Sequence, residues 1–382
     1  MLDVGVIGIG NTGNQIALTC YNRLGIPVVA INSSEKDLES LPNSIPKRLL
    51  KDRRGLSLGA GKDRKTAKSL LKESLDSIIS DTEIINTFKN LDVLFVVSST
   101  GGGTGSGTSP LMYEILDKTF KDVKIILVGV IPSIDETLDS QCNTIGYLKE
   151  VYKTLDNPTF MLYDNGKPDL PYQEVLTAVN ENVCNDIDIL RCTYNYTTQL
   201  DSIDDQDAKK ILGKPGRIIV ASVTDIKDKD IETSEMLETK LLNDIKKNAH
   251  VELQRDKFVM TRGFIANISP ELSNVLNTSL PKINENIGEP LNAFKHISIN
   301  ESKEPNNIFV IMSGLSFIKD RLDTIGYRVS EIQNAMKRKD NMDDSDIFDI
   351  GDDIGQLLND DEPMDTGEET LKASDIFSKF MD

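Results

Sequence analysis

Tryptophan is absent from this chain, and aromatic residues make up only 5% of it. Proteins that grip single-stranded nucleic acid stack bases on such rings, so the composition argues against that use. Histidine occurs only at positions 250 and 296. Two distant imidazoles are too few for a zinc centre or a histidine-based hydrolytic triad. Cys20, Cys142, Cys184 and Cys192 form no CxxC pair, which fits reduced thiols and a cytoplasmic setting. No apolar run approaches the ~20 residues that span a bilayer, so no membrane partner is expected. The first apolar run, Leu2 to Ile9, contains Asp3 and has no basic flank, unlike a secretory signal.

Basic residues are also scarce. There are 43 Lys and Arg against 61 Asp and Glu, a net charge of -18 over 382 residues. A surface of that sign repels phosphate backbones, so any DNA contact is expected to be indirect. The imbalance is local. From Asp340 onward there are 15 acidic residues against Lys372 and Lys379, a net of -13. Residues 339–382 are therefore expected to be an acidic, flexible tail. Two short apolar pieces within it, around Ile347-Phe348 and Ile376-Phe377, suit an arm that folds against a partner.

Ahead of the tail, apolar runs alternate with amphipathic stretches. Strands are expected at 2–9, 27–31, 93–98, 123–131 and 159–162. Helices are expected at 12–24, 63–79, 108–120 and 145–155. The run Leu94-Phe95-Val96-Val97 is apolar on both faces, as in a central parallel strand. The pattern predicts an α/β fold: a Rossmann-like parallel-sheet domain over residues 1–170. Val175, Val179, Val183, Ile187 and Leu190 recur at helical spacing and predict one long central helix over 171–200. Coarser alternation over 201–338 predicts a second α/β domain, with strands at 217–224, 258–267 and 307–313 and helices at 234–246, 270–286 and 316–338.

Three glycine-bearing segments carry the chemistry. Gly8-Ile9-Gly10-Asn11-Thr12-Gly13-Asn14 follows a strand and opens a helix, as a GxGxxG phosphate turn does. A dinucleotide-binding dehydrogenase would then place an acid at the end of the second strand to hold a ribose. Here that position reads Asn32-Ser33, which counts against it. The second segment, Thr100-Gly101-Gly102-Gly103-Thr104-Gly105-Ser106-Gly107, is more specific. It lies between the most apolar strand and a helix, where a flexible linker does not belong, and its amides can line an anion cradle. The third, Gly59-Ala60-Gly61-Lys62-Asp63, only superficially suggests a Walker A loop, because Asp63 stands where a magnesium-binding hydroxyl is needed. Three phosphate-competent turns on one sheet suit a triphosphate.

These segments resemble the tubulin/FtsZ superfamily, whose signature is Gly101 to Gly107. The resemblance implies a GTPase with GTP/GDP and Mg2+ as ligands. Gly10, Asn11, Thr12, Gly13 and Asn14 correspond to the first phosphate loop, and Asn32 and Ser33 to the end of the second strand. Gly59, Ala60 and Gly61 correspond to a third loop that is shortened and altered here. Thr100, Gly101, Gly102, Gly103, Thr104, Gly105 and Ser106 form the main loop. Pro132 and Glu136 fall in the ribose loop, with Ser140 near the place of a family Arg. Asn165 and Asn180 fall where the base is recognised. No protein ligand for Mg2+ is assigned, since nucleotide and water hold it in the main. Ser202-Ile203-Asp204-Asp205-Gln206-Asp207 resembles the loop that reaches the next subunit's nucleotide, which implies that Asp204 and Asp207 act in trans. The alternative for these acids is a helix cap and first-turn pair.

Within the superfamily the altered third loop and the acidic tail are most similar to the TubZ branch of plasmid and phage DNA-segregation proteins. The branch resemblance implies head-to-tail filaments in a bacterial cytoplasm. It also implies a centromere-binding adaptor, contacted through 340–382. A phage-centring tubulin or an FtsZ-like division filament is the nearby alternative. A nucleotide-bound scaffold without hydrolysis and a dehydrogenase are the remote ones.

Overall fold

Apolar strands that can be covered on both faces need helices above and below them, and this chain is built that way. The computed structural model describes residues 1–57, 59–166, 171–192, 202–248, 255–300 and 305–340. The tail beyond residue 340 and the expected end of the central helix, from residue 193, lie outside them.

The first half comprises β1 (Val4–Ile9), α1 (Gly10–Leu24), β2 (Val28–Asn32), α2 (Glu35–Glu39), β3 (Lys47–Leu49), α3 (Arg64–Ile79), α4 (Thr82–Phe88), β4 (Val93–Ser99), α5 (Gly103–Thr119), β5 (Lys124–Ile131), α6 (Leu138–Lys149) and β6 (Thr159–Asp164). A π-helical turn, Glu150–Thr154, continues α6. The second half comprises α7 (Tyr172–Cys192), α8 (Asp205–Leu212), β7 (Gly216–Ile226), α9 (Ser234–Asn248), β8 (Phe258–Ile268), α10 (Pro270–Ser273), α11 (Pro281–Ile287), β9 (Glu289–Ile299), β10 (Asn306–Leu315) and α12 (Lys319–Asp340).

Among the described residues ten strands form one sheet, ordered β3-β2-β1-β4-β5-β6-β7-β10-β8-β9. The first six run parallel in the doubly wound order, and β1 and β4 are the neighbours at which that order reverses. Within the sheet the halves join through two residue pairs, Thr159 with Gly216 and Phe160 with Arg217. Beyond them β10 is antiparallel to both β7 and β8, while β9 runs parallel to β8. One core covers one face of the first half with α3, α5, α6 and the start of α12. Another covers the opposite face with α1, α7 and α8. The third packs α9, α10 and α11 on the second half. The valine and isoleucine stripe of α7 is buried as its spacing predicts.

Several expected elements are corrected. α1 begins at Gly10, not residue 12, and α5 at Gly103, not residue 108. Glycine lowers helix propensity by about 1 kcal/mol relative to alanine, so these first turns do not read as helix. The single helix expected over 270–286 is two short ones. α10 ends at Ser273, and Leu280 turns to a φ of 50° before Pro281 starts α11. β9 was not expected: it is an edge strand whose first half is exposed, so it shows no alternation. The short elements α2, β3 and α4 were likewise not expected.

Candidate functional site

The turns after β1 and β4 meet at the reversal of strand order, where open α/β sheets carry ligands at the carboxyl ends of their strands. Gly10 adopts a φ of 74°, a left-handed conformation that side chains other than glycine rarely take. α1 and α5 have no side-chain cap at their N-termini, and neither does α6. By contrast Ser34, Asp63, Asp81, Asp204 and Ser269 cap α2, α3, α4, α8 and α10. The uncapped amides of α1 and α5 carry the positive end of each helix dipole, which suits an anion.

The third segment closes over the second. Gly59 and Gly61 turn with positive φ, and Lys62 follows with a φ of 64°. The backbone of Lys62 lies against Gly103: a Cβ on Gly103 would stand 2.7 Å from the Lys62 Cα. Only a residue without a side chain allows that approach. Gly102 faces open space, with nothing within 4 Å of a built Cβ. Ser33 Oγ and Thr104 Oγ1 share a hydrogen bond of 2.6 Å, joining the end of β2 to the main loop. Lys62 Nζ donates to Thr137 Oγ1 at 2.9 Å and Ser140 Oγ at 3.0 Å, which ties the third segment to α6. Asn143 Nδ2 donates to the carbonyls of Lys62 at 2.8 Å and Gly101 at 3.2 Å.

Behind the cradle sits a buried ion-pair cluster. Arg64 Nη2 lies 2.6 Å from Glu150 Oε2 and donates to the Ser106 carbonyl at 3.0 Å. Lys68 Nζ lies 2.5 Å from Glu150 Oε1. Burial pushes the Lys68 ammonium below its ordinary value, and the Glu150 carboxylate opposes that shift. The cluster fastens α3 and the π-helical turn to the main loop.

The other expected residues divide by placement. Asn11 is exposed and Thr12 half-buried, while Gly13 and Asn14 are buried. The Oδ1 atoms of Asn14 and Asn165 are buried and accept no hydrogen bond among the described residues. Pro132 packs on the main loop, 3.0 Å from a Cβ built on Gly101. Glu136 is half-buried, and its N–H donates to the Ser133 carbonyl at 3.0 Å. Asn180 is half-buried on α7, and Ala60 is buried in the third segment. Asn32 turns its amide inward: its Oδ1 accepts from the Ser33 N–H at 2.8 Å and its Nδ2 donates to Asp37. Ser106 Oγ likewise donates to the Gly102 carbonyl.

Thr100 requires a correction. It is fully buried, and its hydroxyl pairs with Thr144 Oγ1 at 3.0 Å while its N–H donates to Val130. It supports the loop from beneath and offers no donor into the cradle.

Asp204 and Asp207 are not near the cradle. Asp204 Oδ1 accepts from the Asp207 N–H at 2.8 Å, the cap that the simpler reading describes, and Asp207 pairs with Lys210 at 2.8 Å. Farther along α8, Lys209 binds Asp92, just before β4, at 2.7 Å. The glycine-rich turn of the cradle leaves the far end of the same strand. A seven-residue strand is roughly 20 Å long, so the two groups lie at opposite ends of the sheet.

Residues 3–167 match the model of the tubulin/FtsZ family GTPase domain. This segment of the chain is a tubulin/FtsZ-type GTPase domain. The chain is 26% identical over 164 residues to the tubulin-like protein CetZ of Pyrococcus furiosus, covering 42% of this chain and 44% of that one. It is 28% identical over 168 residues to the tubulin-like protein TubZ of Clostridium botulinum C phage, with 42% and 44% covered. These alignments thus span less than half the length of the relatives. In fold, the chain is similar to a GTPγS-form protofilament of TubZ from Bacillus thuringiensis serovar israelensis. The TM-score is 0.70 at 18% identity, covering 88% of this chain and 94% of that one. The likeness extends the shared fold well beyond the matched domain.

Proposed function

We propose that this protein binds GTP in the cradle and hydrolyses it where copies stack head to tail. The observation that carries the reading is the separation just described: the anion cradle and the acidic N-terminus of α8 occupy opposite ends of one sheet. One copy cannot bring them together, whereas a second copy stacked end on end can. Such a heterologous contact does not close on itself and therefore grows into a filament. The protofilament form of the Bacillus TubZ supports the same arrangement.

In this reading the amides of Gly10 to Asn14 and Gly101 to Ser106 hold the phosphates, with Gly59, Ala60 and Gly61 closing from the side. Glu136 faces the ribose. Asn165 and Asn180 pair with the guanine edge, since a carboxamide offers both a donor and an acceptor. Asn165 Oδ1, which accepts no hydrogen bond among the described residues, fits a ligand that brings a donor, and the open face of Gly102 fits a phosphate at close range. Mg2+, held by nucleotide and water, would neutralise charge on the phosphates. Asp204 and Asp207 of the neighbouring copy orient the water for in-line attack. The dehydrogenase alternative is set aside by membership of the GTPase-domain family.

Phosphate release measured against protein concentration tests the proposal. Activity per molecule should rise steeply once filaments form. Equal turnover in dilute monomer and in polymer would sink it. For cargo, the phage TubZ relative and the acidic tail support DNA segregation through a basic adaptor that binds residues 340–382. Tubulin-like CetZ proteins match as well, and one CetZ2 is known as a GTPγS-bound protofilament, so a filament without DNA cargo is the second reading. Adaptor capture that survives deletion of the tail would refute that assignment of the tail, and filaments that bind no DNA-binding adaptor would favour the second reading.

A further inference from the structure

The last described helix returns to the first half of the chain. Ile318, just before α12, and Leu322, Ile325 and Val329 within it are buried in the core that also holds Tyr147 and Leu148 of α6. Their spacing of three and four residues draws one apolar stripe along the helix. That packing delivers Arg321 to the loops after β5 and β6. Its Nε lies 2.7 Å from Asp164 Oδ2, and its Nη2 donates to Asp164 Oδ1 at 3.1 Å and to the Pro132 carbonyl at 3.0 Å. Asp164 Oδ1 also accepts from the Gly166 N–H at 2.7 Å. Both side chains are largely shielded, with exposures of 12% and 20%.

We propose that Arg321 is a positioning residue for the ribose and base end of the nucleotide site. Through Asp164 it fixes the turn that carries Asn165, and through the Pro132 carbonyl it fixes the loop that carries Glu136. The proposal rests on the GTP-binding reading above. Arg321 Nη2 serves a carboxylate oxygen and the carbonyl together while Nε stays in charge contact with the other carboxylate oxygen, a rigid fork that a lysine ammonium cannot reproduce. Burial pushes the Asp164 carboxyl up from its ordinary value, against the pull of the guanidinium. Without Arg321 that carboxylate loses its counter-charge, and the turn at Gly166 loses its anchor. The phosphate cradle is held by other hydrogen bonds: Ser33 with Thr104, Lys62 with Ser140, and Asn143 with Gly101.

The test therefore separates the two ends of the ligand. Binding of GDP and of inorganic tripolyphosphate is measured by calorimetry on the full chain and on its Arg321→Ala and Arg321→Lys variants. Arg321→Ala should weaken GDP by roughly tenfold or more, about the worth of one charge-assisted contact, and leave tripolyphosphate nearly unchanged. Arg321→Lys should recover only part of the loss. If Arg321→Ala melts below the assay temperature, Asp164→Asn should show the same selective loss, because it keeps the acceptor for Gly166 and removes the charge. Unchanged GDP affinity, or parallel loss of both ligands in folded protein, overturns the proposal. Failure of the unsubstituted chain to bind GDP overturns the GTP-binding reading itself, and the proposal with it.

Discussion

Asp204 can be asked to choose between its two roles. As a cap, its Oδ1 satisfies the Asp207 N–H at the start of α8, a helix that buries Ala208, Ile211 and Leu212. Losing such a cap costs about 0.5–2 kcal/mol. That lowers the melting temperature by about 2–4 °C per kcal/mol in a domain of this size. Asparagine caps as well as aspartate, so Asp204→Asn should change stability by no more than a few tenths of a kcal/mol. As a water-orienting carboxylate, Asp204 is worth about 10²–10⁴ in rate, or roughly 3–5 kcal/mol of barrier. The Asn variant removes that contribution and nothing else. The assay combines a melting curve, sedimentation with GTP, and phosphate release from the pelleted polymer. Near-normal melting, filaments that persist, and phosphate release lower by about a hundredfold or more are expected. An Asn variant that turns GTP over at the unsubstituted rate would reduce Asp204 to a helix cap and remove the basis for hydrolysis in trans. Mixing the Asn variant with a cradle-defective copy should restore part of the release, since each supplies what the other lacks.

Gly103→Ala should destabilise the chain by about 1–3 kcal/mol and weaken GDP, because its Cβ meets the Lys62 backbone, which cannot rotate away. Gly102→Ala, facing open space, should weaken GDP with the melting temperature unchanged; equal melting of the two variants would refute this packing account. Glu150→Gln should cost about 3–5 kcal/mol in denaturant titrations, because Arg64 and Lys68 are left buried without their counter-charge; a loss near zero would show that the cluster is solvated. The Thr66 hydroxyl, with the Lys65 and Thr66 N–H groups, holds Asp63 below the ordinary carboxylate range. Its stabilising effect is therefore complete above the unfolded value of about 3.9 and is lost as pH falls through the lower folded value. Asp63→Asn should melt normally at pH 7 and lose less on acidification below about pH 4; identical acid curves would contradict the assignment.

Local chemistry made much of the site legible. A run apolar on both faces must be a covered strand, and Gly101 to Gly107 directly after it must turn at the strand's carboxyl end. Helical spacing likewise marked the buried face of α7 from Val175 to Leu190. Contacts between distant segments were hidden. Asn143, Glu150 and Arg321 carry no motif, and each acts on residues far away in the chain; Arg321 and Pro132 are 189 positions apart. β9 escaped notice because an exposed edge strand has no apolar alternation to read, and the early starts of α1 and α5 because glycine hides helix.

The sequence by itself determined the glycine-rich turns suited to an anion and the strands that present them, because amide-rich turns after buried strands depend only on neighbouring residues. Tertiary structure alone decided which hydroxyls are spent inside the fold, as Thr100 is. It decided that α12 returns to hold the segments that carry Asn165 and Glu136, through Asp164 and Pro132. It also decided that Asp204 and the cradle stand at opposite ends of the sheet. Those outcomes depend on how the layers stack, and no local pattern of residues encodes the distance between two ends of a sheet.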